Sequence, residues 1–318
     1  MDIVVCTDHR FVMPTGVMMY SLCSNNPEAD VTIHVLIDDN VTEKDKEDLT
    51  TTISRFPNGK VLFYNVDLSL LPAFPSLEKR QGEISKAAYY RLMLSEILPE
   101  SVHKVLYMDG DLIVRGSLSP LWDTDLTGYA IAAVPDGVGG DIEIFNRLRY
   151  PFEIGYFNSG VMLVNLDYWR EHAVINEFYD FIKTRAEDIA LWDQDVLNFV
   201  FQDRKTSLPI KYNFTSGFLF KPPKFDYWKN EKEFKEALQN PVVVHFAGDK
   251  PWYVYQRVPH PFTSTWMLYQ NQTLWKGVMW EKRSMKLRIV NFISDTLRRF
   301  RVIPQVHTFD YIDIAPID

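Results

Sequence analysis

The stretch from Val105 to Val114 reads VLYMDGDLIV and places two carboxylates inside an otherwise apolar run. Asp109 and Asp111 are separated by Gly110 alone, and the run before them is typical of a strand buried on both faces. Two like charges a few ångströms apart in a poorly solvated site repel each other, and a divalent cation removes that cost. Because Mg²⁺ and Mn²⁺ prefer oxygen ligands, the pair predicts a metal ion that bridges the protein to a phosphate-bearing substrate.

The spacing of the two aspartates fits a ligand site, a turn or a different enzyme class. In an extended chain Asp109 and Asp111 point to one side, and Gly110 leaves room for a ligand. An isolated Asp-Gly-Asp equally fits a solvated turn. A phosphohydrolase of the haloacid dehalogenase type would use its first aspartate as a nucleophile. Its pattern, however, has Thr or Val where Ile113 stands, and its acidic strand lies near the N-terminus.

Further side chains with useful chemistry lie elsewhere in the chain. His245 follows the apolar run 242–244 and precedes Gly248 and Lys250. Neutral imidazole suits Mn²⁺, and a glycine lets backbone approach a phosphate closely. Taken singly, these residues have ordinary roles: His245 is typical of a core histidine, Asp8 of a turn, and Arg91 of a surface ion pair.

The elements that must position these residues alternate between short apolar runs and helical patterns. Strands separated by helices predict a largely parallel sheet with both faces covered, and such sheets bind ligands at the carboxyl ends of their strands. Thr42 followed by Asp45 predicts an N-cap. The predicted strands are Ile3–Cys6, Val31–Ile37, Val61–Val66, Val105–Met108, Tyr129–Val134 and Val161–Leu166, and the predicted helices include Pro14–Leu22 and Ser85–Leu98.

Composition narrows the class of protein. The 318 residues are 46% hydrophobic and carry a net charge of −8, which argues against nucleic acid as a partner. The two cysteines, Cys6 and Cys23, form neither a disulfide framework nor a zinc set. The N-terminus reads as a first strand rather than a signal peptide, and no apolar run reaches the ~18 residues of a membrane span. These features predict a cytoplasmic protein.

The last part of the chain differs in charge from the rest. Between Lys276 and Arg301 eight Lys and Arg residues stand against two acidic ones. We therefore expect one α/β domain over residues 1–270 and a basic amphipathic appendage over 271–318. Basic helices with apolar faces lie on anionic bilayers, which predicts a peripheral membrane contact through 276–303. A helix packed on the domain is the alternative.

Five motifs in order connect these residues. They are DIVVCTD from Asp2, DGD from Asp109, YFNSGVMLVNL from Tyr156, WDQDVLN from Trp192 and HFAGDKPW from His245. The ordered set resembles glycosyltransferase family 8, the bacterial lipopolysaccharide galactosyl- and glucosyltransferases and their glycogenin relatives, over roughly residues 1 to 255. This resemblance implies a GT-A type, Rossmann-like fold of nucleotide-diphosphosugar transferases, with a mainly parallel central sheet flanked by helices.

The resemblance implies a role for each matching residue. Asp109, Asp111 and His245 bind Mn²⁺ or Mg²⁺, which clamps the diphosphate of a UDP-sugar, and Lys250 contacts phosphate where Gly248 lets the backbone approach. The uracil and ribose are held by Cys6, Thr7 and Asp8, and the donor sugar by Arg91 and Asn158. Asp193 and Gln194 lie beside the anomeric carbon, Gly110 lies among the donor-binding residues, and Asp136 matches a site carboxylate.

The implied activity is retaining, Mn-dependent transfer of galactose or glucose from its UDP-sugar. The acceptor is a saccharide or a lipid-linked sugar, in the synthesis of lipopolysaccharide or another cell-surface polysaccharide at the inner face of the membrane. Retention is achieved either through a covalent intermediate on a carboxylate or by attack from the face that UDP leaves. A non-catalytic UDP-sugar-binding protein and a metal-dependent phosphohydrolase are the alternatives.

Overall fold

The computed structural model describes residues 1–67, 86–137, 141–219, 231–254 and 260–280, with scattered positions between 289 and 302. Its strands are β1 Asp2–Cys6, β2 Val31–Ile37, β3 Gly59–Asn65, β4 Lys104–Met108, β5 Leu112–Val114, β6 Ile131–Pro135, β7 Phe157–Asn165, β8 Lys205–Ser207, β9 Phe214–Thr215 and β10 Val243–His245. The α-helices are α1 Val12–Ser24, α2 Glu43–Ile53, α3 Leu94–Ile97, α4 Ser119–Trp122, α5 Ile142–Leu148, α6 Leu166–Glu171, α7 Val174–Thr184, α8 Trp192–Val200, α9 Glu231–Gln239 and α10 Thr263–Gln270. Short 3₁₀ helices include His9–Phe11, Lys86–Met93 and Ile210–Tyr212.

Two sheets organise the described part of the chain. The larger has the strand order β3-β2-β1-β4-β7-β6-β8, and the smaller has the order β5-β10-β9. In the larger sheet most neighbours are parallel, but β7 runs antiparallel to both β4 and β6. Strands β1, β4 and β6 therefore end at the edge where β7 begins. The residues that follow or open these strands are brought together there, as expected for a ligand site of this architecture.

Strand β1 illustrates why both faces of the large sheet are covered. Alternate residues of a strand point to opposite faces. Ile3 and Val5 pack into one core together with residues of α1 and α2, whereas Val4 and Cys6 pack into the opposite core with residues of α6, α7 and α8. Because both faces of the strand are buried, its residues are apolar at consecutive positions.

Local signals in the sequence set several element ends. The predicted cap at Thr42 is confirmed: its hydroxyl accepts from the Asp45 amide, and the Asp45 carboxylate accepts from the Thr42 amide at 2.8 Å. Strand β2 matches its prediction, and the other predicted strands differ from the observed ones by a few residues at their ends. In the stretch predicted as a helix from Ser85 to Leu98, residues 86–93 form a 3₁₀ helix and only Leu94–Ile97 is α-helical, while Ser85 lies outside the described residues.

The end of the domain carries apolar contacts beyond residue 270. Trp275 lies against Gly16 of α1, where a Cβ would overlap the indole ring. The Trp280 amide donates to the Trp252 carbonyl at 2.8 Å. Most of the predicted appendage lies outside the described residues, so the division at 270 stays a prediction. No helix of the described segments is long and apolar enough to cross a membrane.

Candidate active site

A cavity of about 320 Å³ lies where the carboxyl ends of β1 and β4 meet the start of β7. Most of the residues predicted for a site line it. They are Cys6, Thr7, Asp8, Arg91, Asp109, Gly110, Asp111, Asp193, Gln194 and Lys250. The elements that carry them are distant in sequence, so the strand order brings them together.

The three predicted metal ligands converge. One ligand atom from each of Asp109, Asp111 and His245 lies within 4.8 Å of the other two. His245 Nε2 is 3.3 Å from Asp111 Oδ1 and 3.8 Å from Asp109 Oδ2. The antiparallel pairing of β5 with β10 produces this approach, because it sets His245 opposite Leu112. Two carboxylates and one imidazole nitrogen facing one point form a donor set that fits Mn²⁺ or Mg²⁺.

The Asp-Gly-Asp motif is a turn between β4 and β5 rather than the extended segment that we predicted. The turn is only partly solvated: Asp111 is buried and Gly110 packs against α1, whereas the Asp109 side chain is 22% exposed. A Cβ at position 110 would lie 2.5 Å from Thr15 Oγ1, so helix packing as well as cavity space requires this glycine.

Lys250 is ion-paired with Asp111 and donates a second hydrogen bond to the Phe246 carbonyl oxygen at 2.6 Å. Burial raises the pKa of Asp111, but the positive charge of Lys250 outweighs this effect and holds that pKa well below its ordinary value. Asp111 is therefore a carboxylate, as a metal ligand must be. A contact between Lys250 and a phosphate remains a prediction.

Arg91 is buried beneath the cavity rather than paired on the surface. Its guanidinium donates to Asp109 Oδ1 at 2.7 Å and to the Ser159 carbonyl at 2.9 Å, and its Nε lies 3.2 Å from Asp193 Oδ2. It also stacks over the Tyr107 ring at 4.3 Å. Arg91 thus connects one predicted metal ligand, Asp109, to Asp193, and its contact with a donor sugar stays a prediction.

Asp193 and Gln194 open helix α8 at the cavity wall. The residue before them, Trp192, has a φ of 50°, which is strained for a bulky side chain and is often found at functional sites. Burial, reinforced by the charge of Asp109 and opposed by Arg91, raises the pKa of Asp193 to about 6. Ionisation of the Asp193 carboxyl therefore lowers the stability of the folded protein.

We expect Asp193→Asn to change the free energy of unfolding more favourably at pH 8 than at pH 4. The folded-state pKa lies above the unfolded value of 3.8, so ionisation disfavours folding as the pH rises from about 4 to about 6. A shift of this size corresponds to about 3 kcal/mol. Denaturant unfolding at both pH values measures the effect, with the exposed Asp203→Asn as control. An equal change at pH 4 and pH 8 would contradict the assignment.

The residues predicted for the nucleotide occupy the end of β1. Asp8 Oδ1 accepts from the Phe11 amide at 2.9 Å and so caps the 3₁₀ helix His9–Phe11. The Thr7 hydroxyl is fully buried and accepts from the Thr15 hydroxyl at 3.1 Å. Burial raises the pKa of the Cys6 thiol to about 12, so this cysteine is unreactive. Recognition of uracil by these residues stays a prediction.

Four residues predicted for the site, Asn158, Gly248, His245 and Asp136, are not among those lining the cavity. Asn158 is buried and bonded to protein atoms through both its amide oxygen and its amide nitrogen. Gly248 is exposed, and a Cβ there would meet only Ser216 at 4.0 Å, so protein packing does not require a glycine. Contacts of Asn158 with a donor sugar and of Gly248 with a phosphate stay predictions.

Comparison with known families identifies the family of this chain. The family model for glycosyl transferase family 8 matches residues 2–254. The chain belongs to glycosyl transferase family 8. This confirms the expected family and the expected enzyme class, a glycosyltransferase.

Family 8 relatives and structures agree with this membership. General stress protein A of Bacillus subtilis (strain 168) is 29% identical over 87% of this chain and 96% of that protein. Glycosyltransferase GlyB of Streptococcus pneumoniae is 31% identical over 71% of this chain, which spans only 50% of GlyB. Lipopolysaccharide 1,3-galactosyltransferase of Salmonella typhimurium (strain LT2) is 26% identical over 79% of this chain and 73% of that protein. The structure of galactosyltransferase LgtC with donor and acceptor sugar analogs has a TM-score of 0.74 at 24% identity, covering 91% of this chain and 99% of LgtC. This similarity confirms the GT-A type fold.

Sequence reasoning assigned no role to Gly160 of the family 8 site. A Cβ at this position would overlap His245 Cε1 and would lie 2.8 Å from Asp109 Oδ2. A side chain at 160 would therefore push the predicted metal ligands apart. Gly160 stands in the motif around Asn158, but only the antiparallel placement of β7 beside β4 reveals what it faces.

Proposed function

We propose that this chain transfers a hexose, galactose or glucose, from a UDP-sugar to a saccharide or lipid-linked acceptor, with a divalent cation held by Asp109, Asp111 and His245. The observation that carries the proposal is the convergence of these ligand atoms within 4.8 Å at the cavity. A bound Mn²⁺ or Mg²⁺ would neutralise the diphosphate leaving group. Relatives named as lipopolysaccharide glucosyl- and galactosyltransferases support the sugar class and a role in cell-surface polysaccharide synthesis.

Other residues near the predicted metal ligands would contact the diphosphate, the donor sugar and the reaction centre. Lys250 has its ammonium beside Asp111 and adds positive charge where the diphosphate would lie. Arg91 and Asp193 form a buried ion pair facing the cavity and are suited to bind sugar hydroxyls. Gln194 donates from Nε2 to Asp136 at 3.0 Å and accepts from the Ser159 amide at 3.0 Å, so its amide is held rigidly.

The nature of these groups favours attack of the acceptor hydroxyl from the face that UDP leaves, with retention of configuration. Gln194 is an amide and a poor nucleophile, but its dipole can stabilise an oxocarbenium-like centre. Asp193 is a carboxylate, yet it is engaged by Arg91 and by the Ser159 hydroxyl at 3.1 Å. A covalent intermediate would need this carboxylate to leave both partners.

The decisive experiment measures release of UDP from UDP-galactose and UDP-glucose, with and without saccharide acceptors, in Mn²⁺ and in EDTA. Transfer requires Mn²⁺-dependent release that an acceptor accelerates. A non-catalytic binder would show Mn²⁺-dependent binding of UDP-sugar without release, and a phosphohydrolase would release inorganic phosphate without acceptor. A thermal-shift panel of UDP-sugars with Mn²⁺ identifies the donor, because a ligand that binds only the native state raises its melting temperature.

We also propose that the basic appendage, residues 276–303, makes a peripheral contact with an anionic membrane. Among its described positions, Phe292 and Phe300 are 74% and 73% exposed, and Ile289 and Ile293 are also exposed. Apolar side chains beside many cations are typical of helices that lie on bilayers. Truncation after residue 280 should abolish co-sedimentation with phosphatidylglycerol vesicles, and unchanged binding would contradict the proposal.

A further inference from the structure

The imidazole of His245 is held from behind by a chain of side-chain hydrogen bonds. His245 Nδ1 lies 3.0 Å from Asn213 Oδ1. Asn213 Nδ2 donates to Asn158 Oδ1 at 2.8 Å, and Asn158 Nδ2 donates to Asp136 Oδ2 at 2.8 Å. All four side chains are buried, and Asn213 is 0% exposed. This series of hydrogen bonds therefore runs through the protein interior, from the predicted metal ligand His245 to the buried carboxylate of Asp136.

The direction of these hydrogen bonds is fixed at two independent points. A carboxylate only accepts, so Asn158 must turn its NH₂ group toward Asp136. A backbone amide only donates, and the Gly160 amide lies 3.0 Å from Asn158 Oδ1, which requires the same orientation. Asn213 then presents its NH₂ group to Asn158 and its oxygen to His245. Because that oxygen only accepts, His245 must carry a proton on Nδ1.

The consequence lies on the other side of the ring. With the proton on Nδ1, a neutral imidazole has its lone pair on Nε2, the atom that faces Asp111 and Asp109. A lone pair aimed at two carboxylates is unfavourable unless a cation lies between them. Outer hydrogen bonds of this kind orient metal-binding histidines and raise the basicity of the ligating nitrogen. The negative charge of Asp136 polarises this series of hydrogen bonds and further raises the basicity of Nε2.

We propose that Asn213 is a positioning residue that, with Asn158 and Asp136, fixes His245 in the tautomer whose Nε2 binds the divalent cation. The inference rests on the proposed function, since it specifies how that metal site is prepared. Asp136 Oδ2 also accepts from Gln194 Nε2, so one carboxylate oxygen orients both the metal ligand and the amide at the predicted reaction centre.

The pairing of β9 with β10 explains why Asn213 reaches the histidine. These strands run parallel, with Thr215 opposite His245, and Asn213 immediately precedes β9. The sequence around it, KYNFTSG, contains no motif that points to the site. Only the tertiary structure identifies this residue.

Mn²⁺ binding to the full chain, measured by titration calorimetry and by the electron paramagnetic resonance signal of free Mn²⁺, tests the proposal. Asn213→Leu removes the acceptor for Nδ1 and should weaken Mn²⁺ binding by about 10- to 100-fold. Asn26→Leu is the matched control, because Asn26 is another buried amide and bonds to the Leu22 carbonyl and the Leu118 amide. It should lower the melting temperature without changing the Mn²⁺ affinity of the folded protein.

Two further measurements guard against a variant that fails to fold. Asp136→Asn keeps the shape of the anchor but removes its charge, and should weaken Mn²⁺ binding less than Asn213→Leu does. Long-range ¹H–¹⁵N spectra of the metal-free wild-type chain at alkaline pH should show the His245 proton on Nδ1. A proton on Nε2, or wild-type Mn²⁺ affinity in both Asn213→Leu and Asp136→Asn, would overturn the inference. A wild-type chain that binds no Mn²⁺ would instead contradict the proposed function, whatever the tautomer.

Discussion

Asp111→Asn should reduce sugar transfer at least about a thousand-fold in the presence of Mn²⁺, with the fold intact. Asp111 lies 3.3 Å from His245 Nε2 and is paired with Lys250, so it is central to the charge of the site. An amide in its place supplies one neutral oxygen and one NH₂ group, which repels a cation. The lysine loses its partner but lies at the cavity, where solvent can reach it.

Initial rates of UDP release with acceptor measure this effect, and circular dichroism and melting temperature establish that the variant is folded. Asp203→Asn makes the same change at an exposed position and should keep wild-type rates. Full activity of Asp111→Asn in Mn²⁺ would refute the metal assignment.

Asp195→Asn should lower the free energy of unfolding by about 3 kcal/mol or more. The Asp195 carboxylate is 0% exposed and accepts from two Arg147 nitrogens, the Tyr156 hydroxyl and the amides of Ala190 and Leu191, all within 3.1 Å. Every partner is a donor. Whichever way the new amide turns, its NH₂ group faces a donor, and the half-buried Arg147 loses its counter-charge.

Chemical denaturation at pH 8 measures the loss, and Asp193→Asn provides the comparison, because the same change two positions earlier in α8 removes a charge that burial disfavours and is expected to cost less stability at this pH. The two aspartates are alike in sequence and in burial. They differ in their surroundings: both oxygens of Asp195 accept hydrogen bonds, whereas burial and Asp109 raise the pKa of Asp193 to about 6. Destabilisation of equal size in both variants would contradict this distinction.

Residues that carry their chemistry in a local pattern could be predicted from the sequence. The apolar run before Asp109 identified β4 and the edge at which its acidic pair lies. Thr42 and Asp45 predicted the N-cap of α2. The order of the five motifs indicated the family and, through it, the predicted metal ligands Asp109, Asp111 and His245. These features can be predicted from the sequence because strand periodicity, capping and ligand chemistry depend on residues that are neighbours in the chain.

Only the tertiary structure decided how these parts meet. The antiparallel direction of β7 brings Gly160 against His245, and the β9–β10 pairing brings Asn213 to the same ring. The substitutions of Asp193 and Asp195 differ in their expected effects because Asp195 accepts hydrogen bonds from residues 147 and 156 and from the backbone before α8. The sequence by itself therefore determined which groups are predicted to bind a cation and a phosphate. Their charge states and tautomer were decided by contacts between distant segments, because a pKa or a proton position depends on three-dimensional surroundings that no local pattern encodes.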